Sequence, residues 1–177
     1  MANRSYLYAA DSMPNEAGIP QRIRCISEHN WDIPLAHKLL AGRGTTVVPS
    51  LIWNPLVGIA ADYVGGAALL RDLLAAVGKG LEDDAEFAEC VARTTAHLEK
   101  QQAKYFVLET GEIVSMSGDD PAASVRQLAS ADLPEAVAQA EAAIAGQNDE
   151  WLASVRADWQ SHFASFYSDA LYFSFPD

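Results

Sequence analysis

The chain has 177 residues, 50% of them hydrophobic and 20% charged, which is the composition of one globular domain and excludes a disordered chain. Its net charge of −12 is uneven, because residues 1–80 carry seven basic against six acidic side chains and residues 81–177 carry five against eighteen. A field of this sign repels nucleic acid and anionic membranes, so we expect neither as a partner, and it attracts a basic protein.

The N-terminus and the longest uncharged stretch both favour a cytoplasmic protein. The first eight residues lack the apolar run and small-residue cleavage site of a signal peptide. Residues 44–61 carry no charge, but Pro49 and Pro55 interrupt them and disfavour a membrane-spanning helix. Cys25 and Cys90 are too few for a disulfide framework. They are expected to be two buried thiols, which pair only if the fold brings them together.

The near-neutral half begins with a predicted strand over residues 4–10, in which Tyr6 and Tyr8 share one face and Leu7 lies on the other. A shorter strand is expected at residues 23–26.

Two helices are predicted after these strands. One is short and covers residues 34–40 after Asp32, and the other lies within the alanine- and leucine-rich residues 56–77. Because glycine is costly inside a helix, Gly65 and Gly66 indicate either a break or a close approach of another backbone. Between the two helices, residues 42–46 (Gly-Arg-Gly-Thr-Thr) lack the lysine of a phosphate-binding loop and predict a helix-to-strand turn.

Four helices are predicted in the acidic half, each from a capping signal followed by apolar residues at helical spacing. Their first residues are Asp83 or Asp84, Asp120 with Pro121, Asp132 in a capping-box analogue, and Asn148 or Asp149. The fourth helix has the broadest apolar face, made of Leu152, Val155, Trp159, Phe163 and Phe166. Part of the acidic excess is therefore helix capping.

Strands 105–108 and 113–116 flank residues 109–112 and predict a hairpin, and residues 170–175 alternate as a further strand. An isolated hairpin or terminal strand leaves its backbone groups unpaired. We therefore expect one antiparallel sheet that holds both terminal strands and the central hairpin, packed against about five or six helices. This is a single α+β domain over residues 1–177.

The densest polar cluster contains Glu28, His29 and Asp32, with His37 five residues further on. Two carboxylates and two imidazoles this close together can supply a general acid–base pair or part of a metal shell. The alternative is that Asp32 caps a helix and that residues 28–30 form an ordinary turn. Because Cys25 and His29 match no zinc spacing, we predict neither a metal nor a cofactor.

Candidate binding residues come from exposed aromatic and acidic positions. Trp159 lies on an apolar helix face and is expected in the core, whereas Trp53 lies in a proline-bounded segment and is expected to be partly exposed as a binding anchor. The acidic candidates for a cationic partner are Glu109, Glu112, Asp119, Glu141 and Glu150.

Residues 3–8 (Asn-Arg-Ser-Tyr-Leu-Tyr) and residues 27–34 (Ser-Glu-His-Asn-Trp-Asp-Ile-Pro) resemble the opening of a bacterial family of uncharacterised proteins. The similarity covers about the first forty residues, with residues 171–173 as a weaker match near the end. The resemblance implies a bacterial, intracellular protein and no particular activity.

The leading functional hypothesis is a non-enzymatic acidic binding protein of immunity or inhibitor type, which docks a basic protein. One alternative is a hydrolase that uses Glu28, His29 and Asp32, with His37 as a further group. Another is a small homo-oligomeric ligand-binding domain with residues 53–63 at its interface.

Overall fold

A single antiparallel sheet organises the computed structural model, which describes residues 3–53, 56–118, 120–164 and 172–174. Its strands in the described residues are β1 (Arg4–Ala10), β2 (Arg22–Asn30), β3 (Thr46–Pro49), β4 (Val57–Asp62), β5 (Tyr105–Glu109) and β6 (Tyr172–Ser174). They lie in the order β3-β4-β5-β1-β2-β6, and every neighbouring pair is antiparallel. The predicted α+β class is confirmed.

Seven α-helices are found in the described part of the chain, slightly more than expected. They are α1 (Leu35–Leu40), α2 (Tyr63–Gly78), α3 (Ala85–Lys100), α4 (Gly111–Val114), α5 (Pro121–Gln127), α6 (Leu133–Ile144) and α7 (Asp149–Ala157). None of these helices combines the length and the apolar character that crossing a membrane requires, within the residues described.

Three of the predicted helix caps are confirmed. The Asp84 carboxylate accepts the Phe87 N–H at 2.9 Å, and Asp120 and Asn148 accept backbone N–H groups at the starts of α5 and α7. The capping box at Asp132 is wrong, because Asp132 itself has helical backbone angles and belongs to a π-turn that joins α5 to α6. The apolar face predicted for the fourth helix is buried at Leu152, Val155, Trp159 and Phe163, although α7 ends at Ala157; Phe166 lies outside the described residues.

The predicted central hairpin is wrong. β5 begins at Tyr105 as expected, but residues 111–114 form α4 instead of a second strand. The reason is that both edges of β5 are already paired, with β1 on one side and β4 on the other. A hairpin partner from the following residues would have no free edge to join.

The terminal strands do join the sheet. β1 has the predicted bounds and lies between β5 and β2, whereas β6 pairs with the outer edge of β2. The described part of β6 covers residues 172–174 of the predicted 170–175, and the rest of that prediction lies outside the described residues. β2 is longer than the strand predicted at 23–26, since it continues to Asn30.

The apolar segment predicted to be helical, with a break or a close backbone approach at Gly65 and Gly66, is divided differently. Residues 57–62 form β4, and α2 begins directly after it, with the Asp62 carboxylate accepting the Gly65 N–H at 2.6 Å. Gly65 and Gly66 therefore do not break the helix. Gly66 allows a close backbone approach, because a Cβ at this position would lie 2.2 Å from the Leu40 carbonyl oxygen of α1. The turn predicted at residues 42–46 is confirmed, and Gly44 adopts a φ of +62° there.

The sheet has a buried layer on each face. The helices cover one face with the larger core, which includes Leu7, Ile26, Leu108 and Cys90. A smaller apolar cluster covers the other face and includes Tyr8, Val107 and Cys25. The two thiols are buried and free, as expected, and burial raises the pKa of Cys25 to about 12.

We predict that Gly66→Ala lowers the free energy of unfolding by about 2–3 kcal/mol, because the added methyl group forces α1 and α2 apart. The matched control is Gly18→Ala, since a Cβ at Gly18 would meet nothing within 4 Å. Urea denaturation of both variants measures the difference. Equal stability of the two variants would contradict the close contact between α1 and α2.

Candidate functional site

A groove of about 700 Å³ lies beside the end of β2. One wall comes from residues 29–38, which cover the end of β2, the following loop and α1. The opposite wall comes from residues 132–162, which cover α6, α7 and the turn after α7. The groove thus lies between the near-neutral and the acidic halves of the chain, and its volume is in the range of ligand pockets.

Exposed carboxylates dominate the charged side chains of the groove. They are Asp32, Asp132, Glu135 and Asp158. A single ammonium group, that of Lys38, accompanies them among the described lining residues. A concave surface with this excess of negative charge concentrates cations more strongly than a flat surface does.

Two histidines, His29 and His162, also line the groove. Burial lowers the pKa of His162 below its ordinary value, the nearby Asp158 carboxylate raises it and the Lys38 ammonium lowers it further. Burial and the Lys38 ammonium group thus both favour the neutral form of the His162 ring. The Asp158 carboxylate is oriented by the Ser161 hydroxyl, whose Oγ donates to Asp158 Oδ1 at 2.8 Å.

A buried histidine fixes the inner wall of the groove. His37 Nε2 lies 2.7 Å from Ser27 Oγ, and His37 Nδ1 lies 3.1 Å from Ser5 Oγ. The Ser5 hydroxyl donates to the Asp32 carbonyl oxygen at 2.8 Å, so it accepts from Nδ1–H, and Nε2 accepts from the Ser27 hydroxyl. Burial lowers the pKa of His37 to about 3, and the neutral ring links α1 to β1 and β2.

The structure brings two of the four catalytic candidates into the groove. His29 and Asp32 line it, whereas His37 is fully buried beneath it. Glu28 instead pairs with Arg4, with 2.9 Å between Oε2 and Nη1.

The alternative structural roles proposed for this cluster are wrong. Residues 28–30 are the end of β2 and not a turn. Asp32 does not cap α1, because Pro34 occupies the N-cap position and the Asp32 carboxylate accepts the N–H of Ile33 at 2.7 Å.

Trp31 is a residue that the sequence reasoning did not single out. It adopts a φ of +70°, which is strained for a bulky side chain, and 60% of its surface is exposed. Its N–H donates to the Asn3 carbonyl oxygen at 2.7 Å, so the strained backbone is held in place. The available signal was an aromatic residue inside a polar segment and directly before Asp32.

The acidic binding candidates have different environments. Glu150 is exposed, and Glu141 is exposed and paired with Arg43. Glu112 is half-buried, because its carboxylate accepts the Arg4 N–H and the Tyr6 hydroxyl. Asp119 lies outside the described residues. None of the described acidic candidates lines the groove. The acidic residues of its far wall were either interpreted as helix caps or not selected as candidates.

Glu109 differs most from its expected place on an exposed acidic surface, since its side chain is fully buried. Ser50 Oγ donates to Oε2 at 2.7 Å, and the Leu51 N–H donates to Oε1 at 2.6 Å. Burial raises the pKa of Glu109 to about 7, and these two hydrogen bonds oppose the increase. Glu109 thereby anchors the loop that carries Trp53, which is 37% exposed as the sequence predicted.

The described residues contain no group of three or more histidine, cysteine, aspartate or glutamate side chains that could hold a metal ion. Helices on one face of an antiparallel sheet and an acidic groove at its end define an α+β protein with a concave charged surface. Residues 11–155 match a family described as a domain of unknown function (DUF7822), and the chain belongs to this family. The expected membership of an uncharacterised family is confirmed. No curated protein and no solved structure matches the chain.

The raised pKa of Glu109 predicts a specific pH dependence of stability. Between pH 4.5 and pH 7 the folded state binds more protons than the unfolded state, so the contribution of Glu109 to stability falls as pH rises through this window. Glu109→Gln keeps an oxygen acceptor for the loop and removes the titration. In this variant we expect the free energy of unfolding at pH 8 minus that at pH 4.5 to be more positive than in the wild type, by roughly 3 kcal/mol.

Urea denaturation at the two pH values measures this change. Glu150→Gln is the control, because it makes the same chemical change at an exposed side chain. The same profile in the Glu109 and Glu150 variants would show that the buried carboxylate does not titrate in this range.

Proposed function

We propose that the protein is a non-enzymatic binding protein whose acidic groove docks a basic segment of a partner protein, in the manner of an immunity or inhibitor protein. The observation that carries the proposal is the excess of four exposed carboxylates over one ammonium group among the described lining residues of a groove of about 700 Å³. Such a groove accepts lysine or arginine side chains and disfavours acidic ones.

The charge arrangement also favours rapid association. The far wall is provided by the stretch of the acidic half that has no basic residue between Arg126 and Arg156, together with Asp158 just beyond it. A cationic partner is therefore attracted over a range longer than direct contact, and the attraction weakens as salt is added. Fast association is what an inhibitor of a basic protein requires.

Trp31 supports a protein partner in preference to a small cation. Its side chain is 60% exposed at the residue before Asp32, which lines the groove. Exposed tryptophan side chains are frequent anchors of protein interfaces, and arginine stacks on their faces. An anchor beside a charged groove gives a partner both an apolar and an electrostatic contact.

We predict that the double variant Asp132→Asn/Glu135→Gln binds a fluorescein-labelled peptide of arginine–glycine repeats about tenfold more weakly than the wild type, because half of the groove carboxylates are removed. Fluorescence polarisation at low salt measures the dissociation constant. The matched control is Asp83→Asn/Glu89→Gln, which removes two exposed charges outside the groove.

The control variant should bind within about twofold of the wild type, since an exposed charge away from the contact acts only through the screened long-range field. Equal losses in the two double variants would show that the peptide responds to net charge and not to the groove. An affinity that does not change between low and high salt would contradict an electrostatic contact.

We further expect Trp31→Gly to weaken binding of the same peptide without lowering the free energy of unfolding, because glycine accepts the φ of +70° without strain. Trp53→Ala is the control, since Trp53 is also partly exposed but, unlike Trp31, is not adjacent in the chain to a residue that lines the groove. Thermal unfolding and fluorescence polarisation separate the two effects. Unchanged peptide affinity in Trp31→Gly would remove Trp31 from the interface.

A hydrolase is the second candidate, favoured by the presence of both His29 and Asp32 in the groove. An imidazole beside a carboxylate can act as a general base. The discriminating experiment is a hydrolase substrate panel with the wild type and His29→Ala, accompanied by metal analysis of the purified protein. Activity that His29→Ala abolishes, in a variant that folds normally, would favour the hydrolase over the binding protein.

A further inference from the structure

A second concave surface, of about 290 Å³, has the opposite charge to the groove. It lies where the start of β2, the end of α3 and the residues before β5 meet. Three basic side chains line it, those of Arg22, Arg24 and Lys104. Among the described lining residues Asp11 is the only acidic one, so the surface carries a net positive charge within a chain of net charge −12.

Within the part of the chain that the structure describes, no ion pair neutralises these three cations. The ion pairs found among the described residues join Arg4 to Glu28 and Arg43 to Glu141, and neither involves this surface. The Asp11 carboxylate instead faces the backbone N–H of Arg22, with 3.5 Å between Oδ1 and the nitrogen. Three like charges around one small concavity repel one another, and a bound anion relieves that repulsion.

One of the cations has a fixed orientation. Arg24 is half-buried, and its Nη1 donates to Gln101 Oε1 at 2.8 Å. This bond occupies one N–H of a guanidinium group that has five, and the remaining donors are available to a ligand. Arg22 and Lys104 are exposed and come from different segments, β2 and the residues before β5, so the concavity is lined by donors from two parts of the chain.

The C-terminus of α3 explains the presence of only some of these basic side chains. A helix C-terminus carries about half a negative elementary charge and favours basic side chains nearby. One cation satisfies that requirement, and Lys100 already lies in the last turn of α3. Three further cations exceed what the helix end needs.

We propose that this concavity binds a phosphate group, either as inorganic phosphate or as the monoester of a small molecule. A phosphate presents several oxygens to separate donors, and guanidinium groups bind it with paired hydrogen bonds. The site is independent of the acidic groove and of the function proposed for it.

The test uses the full chain at pH 7.5 and constant ionic strength, titrated separately with inorganic phosphate, glycerol 3-phosphate and succinate. Backbone amide NMR shifts of residues 22–24 and 101–104 report on the site. We expect saturable shifts with inorganic phosphate or with the monoester, and the tighter of the two identifies the source of the group. Succinate is expected to bind about tenfold more weakly, because its two planar carboxylates do not match the arrangement of donors.

Arg22→Gln/Lys104→Gln should raise the dissociation constant for phosphate about tenfold, since both side chains are exposed and their replacement leaves the fold intact. The matched control, Arg71→Gln/Arg126→Gln, removes two exposed cations elsewhere and should leave it unchanged. The proposal is overturned by the absence of saturable shifts, by equal weakening in the two double variants, or by succinate binding as tightly as phosphate.

Discussion

The acidic groove depends on one neutral imidazole. His37 is buried between the Ser5 and Ser27 hydroxyls, so a single side chain of α1 is hydrogen-bonded to both β1 and β2. The Ser5 hydroxyl in turn donates to the Asp32 carbonyl oxygen and thereby fixes the loop that lines the groove. If the buried ring were charged, both of its nitrogens would be donors, and the Ser27 hydroxyl would lose the acceptor of its hydrogen bond. The lowered pKa of His37 is thus a condition of the site's geometry.

β2 carries the two oppositely charged surfaces at its two ends. Arg22 and Arg24 lie at its start beside the basic concavity, and His29 lies near its end in the acidic groove. Five to seven residues of strand separate these positions by roughly 17–24 Å. This is two to three times the screening length of about 8 Å at physiological salt. An anion bound at one end would therefore leave the negative charge of the groove at the other end unneutralised.

The sequence predicted what local signals determine and missed what depends on distant partners. The caps at Asp84, Asp120 and Asn148 were predictable, because each needs only the few residues that follow it. β4 and α4 were not, because β4 and β5 pair with partners from distant parts of the chain and leave no free edge for a strand after β5. The burial of Glu109 had a signal in the alternation of β5, where it shares a face with the buried Val107. For the candidate site, the polar cluster around His29 and Asp32 was found from the sequence, whereas the opposite wall required the packing of α6 and α7.

The sheet order places β3 at an outer edge, where unpaired backbone groups can recruit a strand from another molecule. β3 has only four residues and ends on Pro49, which has no N–H to donate. A neighbouring chain consequently finds a short and incomplete row of hydrogen-bonding groups on this side. The fold in this way discourages edge-to-edge aggregation at β3, even though the strand consists largely of residues that favour β-structure.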